Sequence, residues 1–375
     1  MLYLDHAATS PVRPEVWEAM RPYLAGVFGN PSSHHTVGEE ASNALEDARA
    51  RVARVLGMRA GDVVFTAGGT EANNLAVKGV VLGSGRRHLV ISPIEHESIL
   101  ESAAYLRRFH DVEVTLLPVD SRGRVSPDDL ADALRRDTAL VSVGHANNEI
   151  GTVQDAAALS AVTAEHGVPL HLDAVQSAGW LPLAGLGADA VSIAGHKLGA
   201  PKGIGALAVR GRVPLEPLLH GGGQERGRRS GTENVAGAVG LATALETAEA
   251  ERESTATRVG AATRRFIDAV LTTTPGAALT GDPASRLPAT ASFTFAGTSG
   301  EAVLLELERR GVVSSSGSAC AAGSDEPSHV LLACGVPAAV AQTSVRFTFG
   351  RETLPPDAPE QLAALVADAV RAVAA

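Results

Sequence analysis

A lysine between two apolar segments is the first residue of this sequence whose position suggests chemistry. Lys197 follows the apolar run 190–194 after a glycine and a histidine, and a second apolar run covers residues 204–209. Lysine is almost never fully buried without a partner, so one interpretation is a loop lysine that reaches solvent. The other is a lysine whose desolvated amine forms a Schiff base with a carbonyl compound. Other polar positions must decide between the two.

A glycine-rich turn precedes a predicted helix in the segment FTAGGTEANN, at Gly68, Gly69 and Thr70. Free backbone amides at a helix N-terminus, together with the helix dipole, favour bound phosphate. The alternative is an ordinary strand-to-helix turn with Thr70 as the N-cap. The segment matches neither the Walker loop nor the dinucleotide-binding fingerprint.

Three more polar residues follow predicted strands. Asp173 and Gln176 end the apolar segment VPLHLDAVQ. A carboxylate there requires a cationic or protonated partner, such as a pyridinium nitrogen, and Gln176 could reach a phenolic oxygen on the same ring. The alternative is a helix N-cap followed by a solvated glutamine. His96, between two glutamates, could stack on an aromatic cofactor or move a proton, or it could be a salt-bridged surface residue.

Further candidates are Asn147 and Asn148, which could hydrogen-bond a ligand or cap the next element. The guanidinium of Arg346 suits a substrate carboxylate, or else a structural ion pair. The glycine-rich basic segment GGGQERGRRSGT, which includes Thr232, could fold over an anion, reach a neighbouring subunit, or form a flexible surface loop.

The two cysteines have different surroundings. Cys320 lies among small residues in SSSGSAC, where an accessible thiol could reach a bound substrate or be a bystander. Cys334, in HVLLACGV, is predicted to be a buried small hydrophobe. Two cysteines cannot form a disulfide framework or a four-cysteine metal site, and no metal site is predicted.

The elements that position these residues are apolar runs, read as strands, that alternate with helical patterns. This alternation predicts a mainly parallel sheet covered on both faces. Ligands bind at the carboxyl edge of such sheets, where these polar residues collect. The pattern changes near residue 236. A long Ala/Glu/Arg-rich helix, 235–271, is predicted to connect to a smaller α/β domain.

Composition excludes several classes of protein. The 375 residues suggest two domains, 45% are hydrophobic, and the net charge of −10 argues against a general nucleic-acid or membrane binder. No secretory signal is visible and no run approaches the roughly 18 apolar residues of a membrane span, so a cytoplasmic protein is predicted.

A phosphate turn, a carboxylate, a stacking imidazole and a lysine at strand ends of one sheet are together what pyridoxal phosphate requires. The sequence resembles the cysteine desulfurases, pyridoxal-phosphate enzymes of the class V aminotransferase group with the fold type I architecture. The resemblance runs nearly end to end, through the blocks YLDHAATS, GNPSSHH, FTAGGTEANN, EHESI, NNEIGTVQ, HLDAVQ, AGHKLGAPKGIGAL, GGGQERGRRSGTEN, SSGSAC and SVRFTFGR.

The family resemblance implies an α/β fold with a large cofactor-binding domain, residues 15–255, built on a mainly parallel seven-stranded sheet. It implies a smaller α/β domain from residues 1–14 and 256–375 that carries the cysteine loop. The expected reaction converts L-cysteine to L-alanine and leaves a persulfide for iron–sulfur cluster assembly or tRNA thiolation. The expected partners are L-cysteine, a sulfur-acceptor protein (a cluster scaffold or a tRNA thiolation enzyme) and a second copy in a homodimer, with no membrane and no direct nucleic-acid contact.

The resemblance also implies the roles of single residues. Lys197 would bond covalently to pyridoxal 5'-phosphate, His96 would stack on its ring and take part in proton transfer, and Cys320 would accept the sulfur. Asp173 would keep the ring nitrogen protonated. The remaining implied contacts are Gln176 and Asn148 to the ring hydroxyl, Gly69, Thr70 and His196 to phosphate, Thr232 to phosphate from the second subunit, and Arg346 with Asn148 to the substrate carboxylate.

Two positions depart from the family pattern. Ala194 stands where a hydroxyl residue usually contacts the phosphate, so that hydrogen bond is missing or is supplied by Ser192 or by water. Ala200 replaces a glycine and adds a methyl group next to the cofactor turn. The alternative activities are selenocysteine lyase and small-molecule class V aminotransferase, and the alternative outside catalysis is a scaffold with a vestigial site. The SSGSAC segment argues against the aminotransferase, because transamination requires no thiol.

Overall fold

The fold is organised around a seven-stranded sheet in the first two thirds of the chain. The structure is a computed structural model that describes residues 1–316 and 326–374. In chain order its strands are β1 Leu2–Tyr3, β2 Val63–Thr66, β3 His88–Ile91, β4 Glu113–Leu116, β5 Thr138–Gly144, β6 Leu170–Asp173, β7 Ala190–Ala194, β8 Gly205–Val209, β9 Ala277–Leu279, β10 Thr290–Phe295, β11 Val312–Val313 and β12 Ser344–Thr348.

Helices follow most of the strands of this sheet. They are α1 Pro14–Ala25, α2 Thr36–Leu56, α3 Gly69–Asn74, α4 Val80–Ser84, α5 Glu97–His110, α6 Pro127–Ala133, α7 Ala156–Glu165, α8 Gly195–Leu198, α9 Val235–Ala250, α10 Arg252–Thr273, α11 Gly300–Arg309, α12 His329–Ala333, α13 Ala338–Ala341 and α14 Ala358–Ala374. A π-helical turn, Leu75–Gly79, joins α3 to α4.

The order of the large sheet is β2-β8-β7-β6-β5-β3-β4. Strands β4, β3, β5, β6 and β7 are parallel to one another, whereas β8 is antiparallel to both β7 and β2. Every residue of β3, β6, β7 and β8 is buried, as expected for strands covered on both faces. The predicted α/β class and mainly parallel seven-stranded sheet are therefore confirmed.

Two layers of helices cover this sheet. Helices α1, α2, α7 and α9 pack their apolar residues on one face. The α3–α4 segment and α5 pack on the other face. Because parallel strands end at one edge, the loops after β3, β5, β6 and β7 meet there, and the turn after β2 joins them.

A second apolar core lies in the C-terminal third. It is built on the antiparallel sheet β12-β10-β9, on which α10 and α14 pack around Phe266, Phe293 and Phe347. The N-terminal arm joins this region, because β1 pairs with β11 and Asp5 bridges Thr348. The domain boundaries at residues 14/15 and 255/256 stay a prediction.

The predicted long helix 235–271 is wrong in one respect. It is two helices, α9 and α10, separated at Glu251. Glu251, with φ −90° and ψ −6°, departs from ideal α-helical values and interrupts the regular helix at this point. Within residues 1–316 and 326–374, none of the helices combines the length and apolar composition needed to cross a bilayer.

Candidate active site

A cavity of about 990 Å³ opens at the carboxyl edge of the large sheet. Residues from the ends of β2, β3, β5, β6 and β7 line it, together with one residue of β12. The residues predicted from sequence that line it are Gly69, Thr70, His96, Asn148, Asp173, Gln176, His196, Lys197 and Arg346. Of the other two, Thr232 does not line this cavity and Cys320 lies outside the described residues.

The amine of Lys197 lies at the wall of this pocket. Lys197 belongs to the short helix α8, which follows β7 directly, and its side chain is partly buried. Its Nζ donates hydrogen bonds to the carbonyl oxygens of Ala7 and Ala8 on the N-terminal arm, the second at 2.8 Å. The Ala7 carbonyl also accepts a bond from Gln176 Nε2 at 3.0 Å. The arm therefore holds both side chains in the pocket, and Lys197 is not a solvent-seeking loop lysine.

Asp173 presents a buried carboxylate at the end of β6. Its Oδ1 accepts from the Val175 backbone N–H at 2.9 Å, and its Oδ2 accepts from Asn73 Nδ2 at 2.7 Å. The same Asn73 nitrogen donates to Ser98 Oγ at 3.0 Å. The remaining lone pairs of Asp173 can accept a bond from a protonated ligand nitrogen.

His96 lies on the loop that begins α5 and is that helix's N-cap. Its Nδ1 accepts a bond from the Ser98 backbone N–H at 3.0 Å and lies 2.8 Å from Ser98 Oγ. The ring is partly buried and lines the pocket. Ser98 contacts both His96 and Asn73, so it links the imidazole to the Asp173 carboxylate.

The turn after β2 has the form of an anion site. Gly68 is the N-cap of α3, so the alternative in which Thr70 is the N-cap is wrong. Thr70 lies in the first helical turn and faces the pocket. Gly69 is buried, and a Cβ at this position would lie 2.8 Å from a methyl carbon of Val175 and 3.2 Å from the Cβ of Ala194. Only glycine lets this turn approach β7 so closely.

His196 contributes a neutral imidazole to the pocket wall. Burial, followed by the charges of Lys197 and Lys202, lowers the pKa of His196 to about 4. At neutral pH the ring is therefore uncharged, with one N–H donor. Its Nδ1 lies 3.2 Å from the hydroxyl of Thr9.

The two departures from the family pattern have different surroundings. Ala194 lines the pocket, whereas Ala200 is buried and packs toward Gly195. The predicted substitute Ser192 does not line the pocket. Its hydroxyl lies 2.8 Å from His171 Nε2 in the interior of the sheet. The hydrogen bond missing at Ala194 is therefore not supplied by Ser192.

The two asparagines after β5 have separate functions. Asn147 is buried and structural, since its side chain donates to the Ile94 carbonyl and accepts from the backbone N–H groups of residues 149 and 150. Asn148 lines the pocket, as does Asn147. The Asn148 carbonyl oxygen accepts from Arg346 Nη1 at 2.9 Å.

Arg346 is 2% exposed and forms an ion pair with Asp5, whose Oδ1 lies 2.7 Å from Nη2. This is the structural ion pair considered above, and it coexists with a position in the pocket wall. Arg346 Nε is buried and has no hydrogen-bond partner among the described residues. That nitrogen is a donor available to a ligand.

Glu95, named in the sequence analysis only as one of the two glutamates beside His96, is a buried residue of the pocket that sequence reasoning missed. The residue is 3% exposed and lines the pocket. Ser92 Oγ donates to its Oε1, while its Oε2 has no partner in the described part of the chain. Burial, and to a lesser extent the nearby Asp173 carboxylate, raises the pKa of Glu95 to about 8. A neutral carboxylic acid therefore lies beside Asp173 at neutral pH.

The glycine-rich basic loop is anchored rather than free. Buried Glu225 forms a bidentate ion pair with Arg49, and its Oε2 also accepts from the Phe65 N–H at 3.0 Å. Arg229 binds Glu71, the residue after Thr70, at 2.9 Å. The flexible-loop alternative is wrong for this part, although Thr232 itself is exposed.

The described residues on both sides of Cys320 contact the pocket region. Ser315 pairs with Arg346 through two backbone hydrogen bonds of 2.7 and 3.1 Å. Ser328 donates to the buried carboxylate of Glu149, and His329 Nε2 lies 3.1 Å from the Glu95 carbonyl. Cys334 is buried, and burial raises the pKa of its thiol to about 11, which confirms its prediction as a small hydrophobe.

These groups fit pyridoxal phosphate in kind. They comprise a turn of backbone amides at a helix N-terminus, a buried carboxylate, an imidazole at the pocket wall and a primary amine. A family model described as Aminotransferase class-V matches residues 2–357. The chain belongs to this family. The class-V aminotransferases are pyridoxal-phosphate-dependent enzymes of fold type I, as the sequence predicts.

Individual relatives and solved structures show which enzymes within this family the chain resembles. Cysteine desulfurase IscS of Dictyoglomus turgidum is 45% identical over 360 residues, which cover 95% of this chain and 91% of the relative. A solved structure titled NifS-like protein is 33% identical and covers 99% of this chain and 100% of its own, with a TM-score of 0.91. A structure of SspA in complex with cysteine is 35% identical, covers 94% and 100%, and has a TM-score of 0.83. The predicted resemblance to cysteine desulfurases is confirmed.

Proposed function

We propose that this class-V aminotransferase is a cysteine desulfurase that takes sulfur from L-cysteine, releases L-alanine and carries the sulfur as a persulfide on Cys320. The observation that carries the proposal is the convergence of Lys197, Asp173, His96 and Arg346 on one pocket, each from a different element. The desulfurase relatives and the cysteine complex of SspA support the substrate.

The cofactor we propose is pyridoxal 5'-phosphate. When bound, it supplies an aldehyde that reacts with amines and a ring that takes up electrons from the amino acid's Cα. The amides of Gly69 and Thr70, the Thr70 hydroxyl and the neutral His196 would hold its phosphate. Asp173 would hold a proton at the ring nitrogen, and His96 would cover one face of the ring. Gln176 and Asn148 would hydrogen-bond the ring hydroxyl.

We assign the substrate carboxylate to Arg346 and Asn148. Arg346 is fixed by Asp5 and by the Asn148 carbonyl, so its guanidinium is oriented before substrate arrives. Such preorganisation lowers the entropic cost of binding. The Nε atom, which is buried and unpartnered in the described structure, would donate to the carboxylate.

Lys197 Nζ would take the Cα proton of the bound cysteine and then return a proton. The carbonyl oxygens of Ala7 and Ala8 orient the amine toward the pocket. His96 would hold a second proton near the substrate, with its ring fixed through Nδ1 by Ser98. These proton transfers prepare the Cβ–Sγ bond of cysteine for cleavage.

The sulfur transfer would use the thiolate of Cys320. This thiolate attacks the substrate Sγ, an S–S bond forms, and the Cβ–Sγ bond breaks. The electron pair of the broken bond stays with the three-carbon skeleton, which takes up protons and leaves as alanine. A thiolate is required because the thiol is a poor nucleophile.

The test is to incubate the purified, cofactor-loaded enzyme with L-cysteine, quantify alanine, and determine the persulfide by mass spectrometry of the Cys320 peptide. We expect stoichiometric persulfide in the unsubstituted enzyme. Cys320→Ser should keep the cofactor's visible absorption but form no persulfide and release alanine at least 100-fold more slowly. Cys334→Ser is the matched control. Alanine production by Cys320→Ser at the full rate would show that the assigned nucleophile is wrong.

The physiological acceptor would be a protein of iron–sulfur cluster assembly or a tRNA thiolation enzyme, and the enzyme would act as a cytoplasmic homodimer. Thr232 would reach the phosphate in the second subunit's pocket. Its exposure, and the anchoring of its loop to Glu71 beside Thr70, support that proposal. Trapping of a mixed disulfide between Cys320 and its acceptor would identify that protein.

A further inference from the structure

We propose that a second cavity, separate from the catalytic pocket, binds a small oxyanion between Arg351 and Arg13. The cavity has a volume of about 530 Å³. Ala7, Gln176 and Lys197 line both this cavity and the catalytic pocket, so the two share a wall. The proposal does not depend on the desulfurase activity.

The two arginines present unsatisfied donors to this cavity. Arg351 Nη1, Arg351 Nη2 and Arg13 Nη1 are buried and have no hydrogen-bond partner among the described residues. Both side chains line the cavity. Buried donors are costly to leave unpaired, and three from two guanidinium groups in one cavity match an acceptor with several oxygens.

The position of Arg351 is set by its neighbours. Its Cζ lies 4.6 Å from the centre of the Trp180 ring, a cation–π distance. Gly179 has φ +72°, and a Cβ there would lie 2.2 Å from Arg351 Nη2. A side chain at residue 179 would thus occupy the space of the guanidinium. Gly179 leaves room for the guanidinium and the Trp180 ring contacts it, so together they fix Arg351 at the cavity wall.

The charges around the cavity leave Arg351 without a full counterion. Arg13 forms ion pairs with Glu15 at 2.6 Å and Glu251 at 2.9 Å. Glu352 also lines the cavity and its charge favours protonated Arg351, but within the described chain it forms no ion pair with the Arg351 guanidinium. Burial, followed by the charge of Arg13, lowers the pKa of Arg351 to about 10. Arg351 is still protonated at neutral pH, so a partly desolvated cation faces the cavity. A bound anion would supply the missing partner.

A carboxylate or a phosphate matches the planar fork of Arg351, because both accept two parallel N–H bonds. The cavity is also larger than one such ion needs and falls in the range of small-molecule sites. An apolar face is provided by Trp180. We therefore infer a ligand with one anionic oxygen group and a small organic remainder.

The test uses the fluorescence of Trp180 in the cofactor-loaded enzyme. Trp17, the other tryptophan, is exposed on α1 and is first replaced by phenylalanine. The enzyme is titrated with inorganic phosphate and, separately, with acetate, while chloride keeps the ionic strength constant. Loading with cofactor keeps phosphate from the catalytic turn. We expect a saturable change, and the anion that binds more tightly identifies the class of ligand.

Arg351→Met should weaken the binding of that anion at least 10-fold, and Arg351→Lys should weaken it less. Arg21→Met, an exposed arginine on α1, is the matched control and should not change it. Isothermal calorimetry checks each affinity. Where an Arg351 variant does not fold, saturable thermal stabilisation of the unsubstituted enzyme by phosphate or acetate over chloride is the second measurement. The proposal is overturned if neither anion gives a saturable change. It is also overturned if folded Arg351→Met binds the anion as tightly as the unsubstituted enzyme does.

Discussion

Asn73 donates its side-chain amide to Asp173 across 2.7 Å, although the two residues are 100 positions apart. Asn73 lies on α3, three residues after Thr70, and Asp173 ends β6. One hydrogen bond thus fixes the proposed ring-nitrogen partner relative to the proposed phosphate site. Because Ser98 accepts from the same amide nitrogen, the loop of His96 is held in the same network.

Asn73→Ala should weaken cofactor retention and slow turnover. A hydrogen bond to a charged group contributes about 1.5–3 kcal/mol, which corresponds to roughly 10- to 150-fold in affinity. The measurement is the dissociation constant of pyridoxal phosphate, followed by absorbance during dialysis and reconstitution. Asn43→Ala, at an exposed position of α2, is the control and should keep the unsubstituted constant. Unchanged retention in Asn73→Ala would mean that Asp173 is positioned by β6 alone.

Much of the site follows from the sequence because its residues come directly after apolar strands. Asp173, His96 and Lys197 each follow one, and parallel strands end at a common edge. The proposed phosphate turn carries its own signal, which is a pair of glycines at the start of a helix. The family resemblance added the roles of these residues and the type of fold.

What the sequence could not show are contacts between distant segments. Asn73 and the Ala7 and Ala8 carbonyls are ordinary in sequence, and their contacts arise only when α3 and the arm pack beside β6 and α8. Glu95 did carry a signal, since it follows buried Ile94 directly after β3. The charged EHE segment favoured a surface interpretation of His96, and Glu95 was therefore not considered as a pocket residue. The break at Glu251 had no compositional marker.

Arg346→Lys should raise the KM for L-cysteine while leaving cofactor absorption intact. Lysine keeps the charge but cannot make the separate contacts of the guanidinium to Asp5, to the Asn148 carbonyl and to a substrate carboxylate. We expect KM to rise about 10- to 100-fold, in line with the loss of a charge-assisted bond. Steady-state alanine release measures it. Arg371→Lys, exposed on α14, is the control. A lower kcat at unchanged KM would assign Arg346 to another step.

Glu95 should make the protein less stable as pH rises from about 4.5 to 8. The raised pKa of about 8 means that the folded state keeps this carboxyl protonated over a range in which the unfolded state ionises it. The unfolded state then binds fewer protons, so the free energy of unfolding falls by up to about 1.4 kcal/mol per pH unit and levels off above pH 8. Glu95→Gln should lose this decline.

The measurement for Glu95 is urea unfolding at several pH values, analysed as the difference between Glu95→Gln and the unsubstituted protein. That difference cancels the titration of all other groups. Glu97→Gln changes the exposed neighbouring glutamate and should show no such pH-dependent difference. Parallel profiles for Glu95→Gln and the unsubstituted protein would contradict a protonated Glu95.

The buried ion pair between Arg49 and Glu225 should stabilise the glycine-rich loop that carries Arg229 and Thr232. Both side chains are 2% exposed, so Glu225→Gln removes the buried counterion of Arg49 and leaves only the half-exposed Glu46, 2.9 Å from Arg49 Nε; the loss should cost about 3–5 kcal/mol of unfolding free energy. The double variant Arg49→Met/Glu225→Gln should cost less than the sum of the single variants, because no unpaired charge remains. Urea unfolding of all four proteins measures this coupling.

The exposed pair Arg21 and Glu18, treated in the same way, should couple by less than about 1 kcal/mol. Additive costs for Arg49 and Glu225 would show that the loop is held by its other contacts.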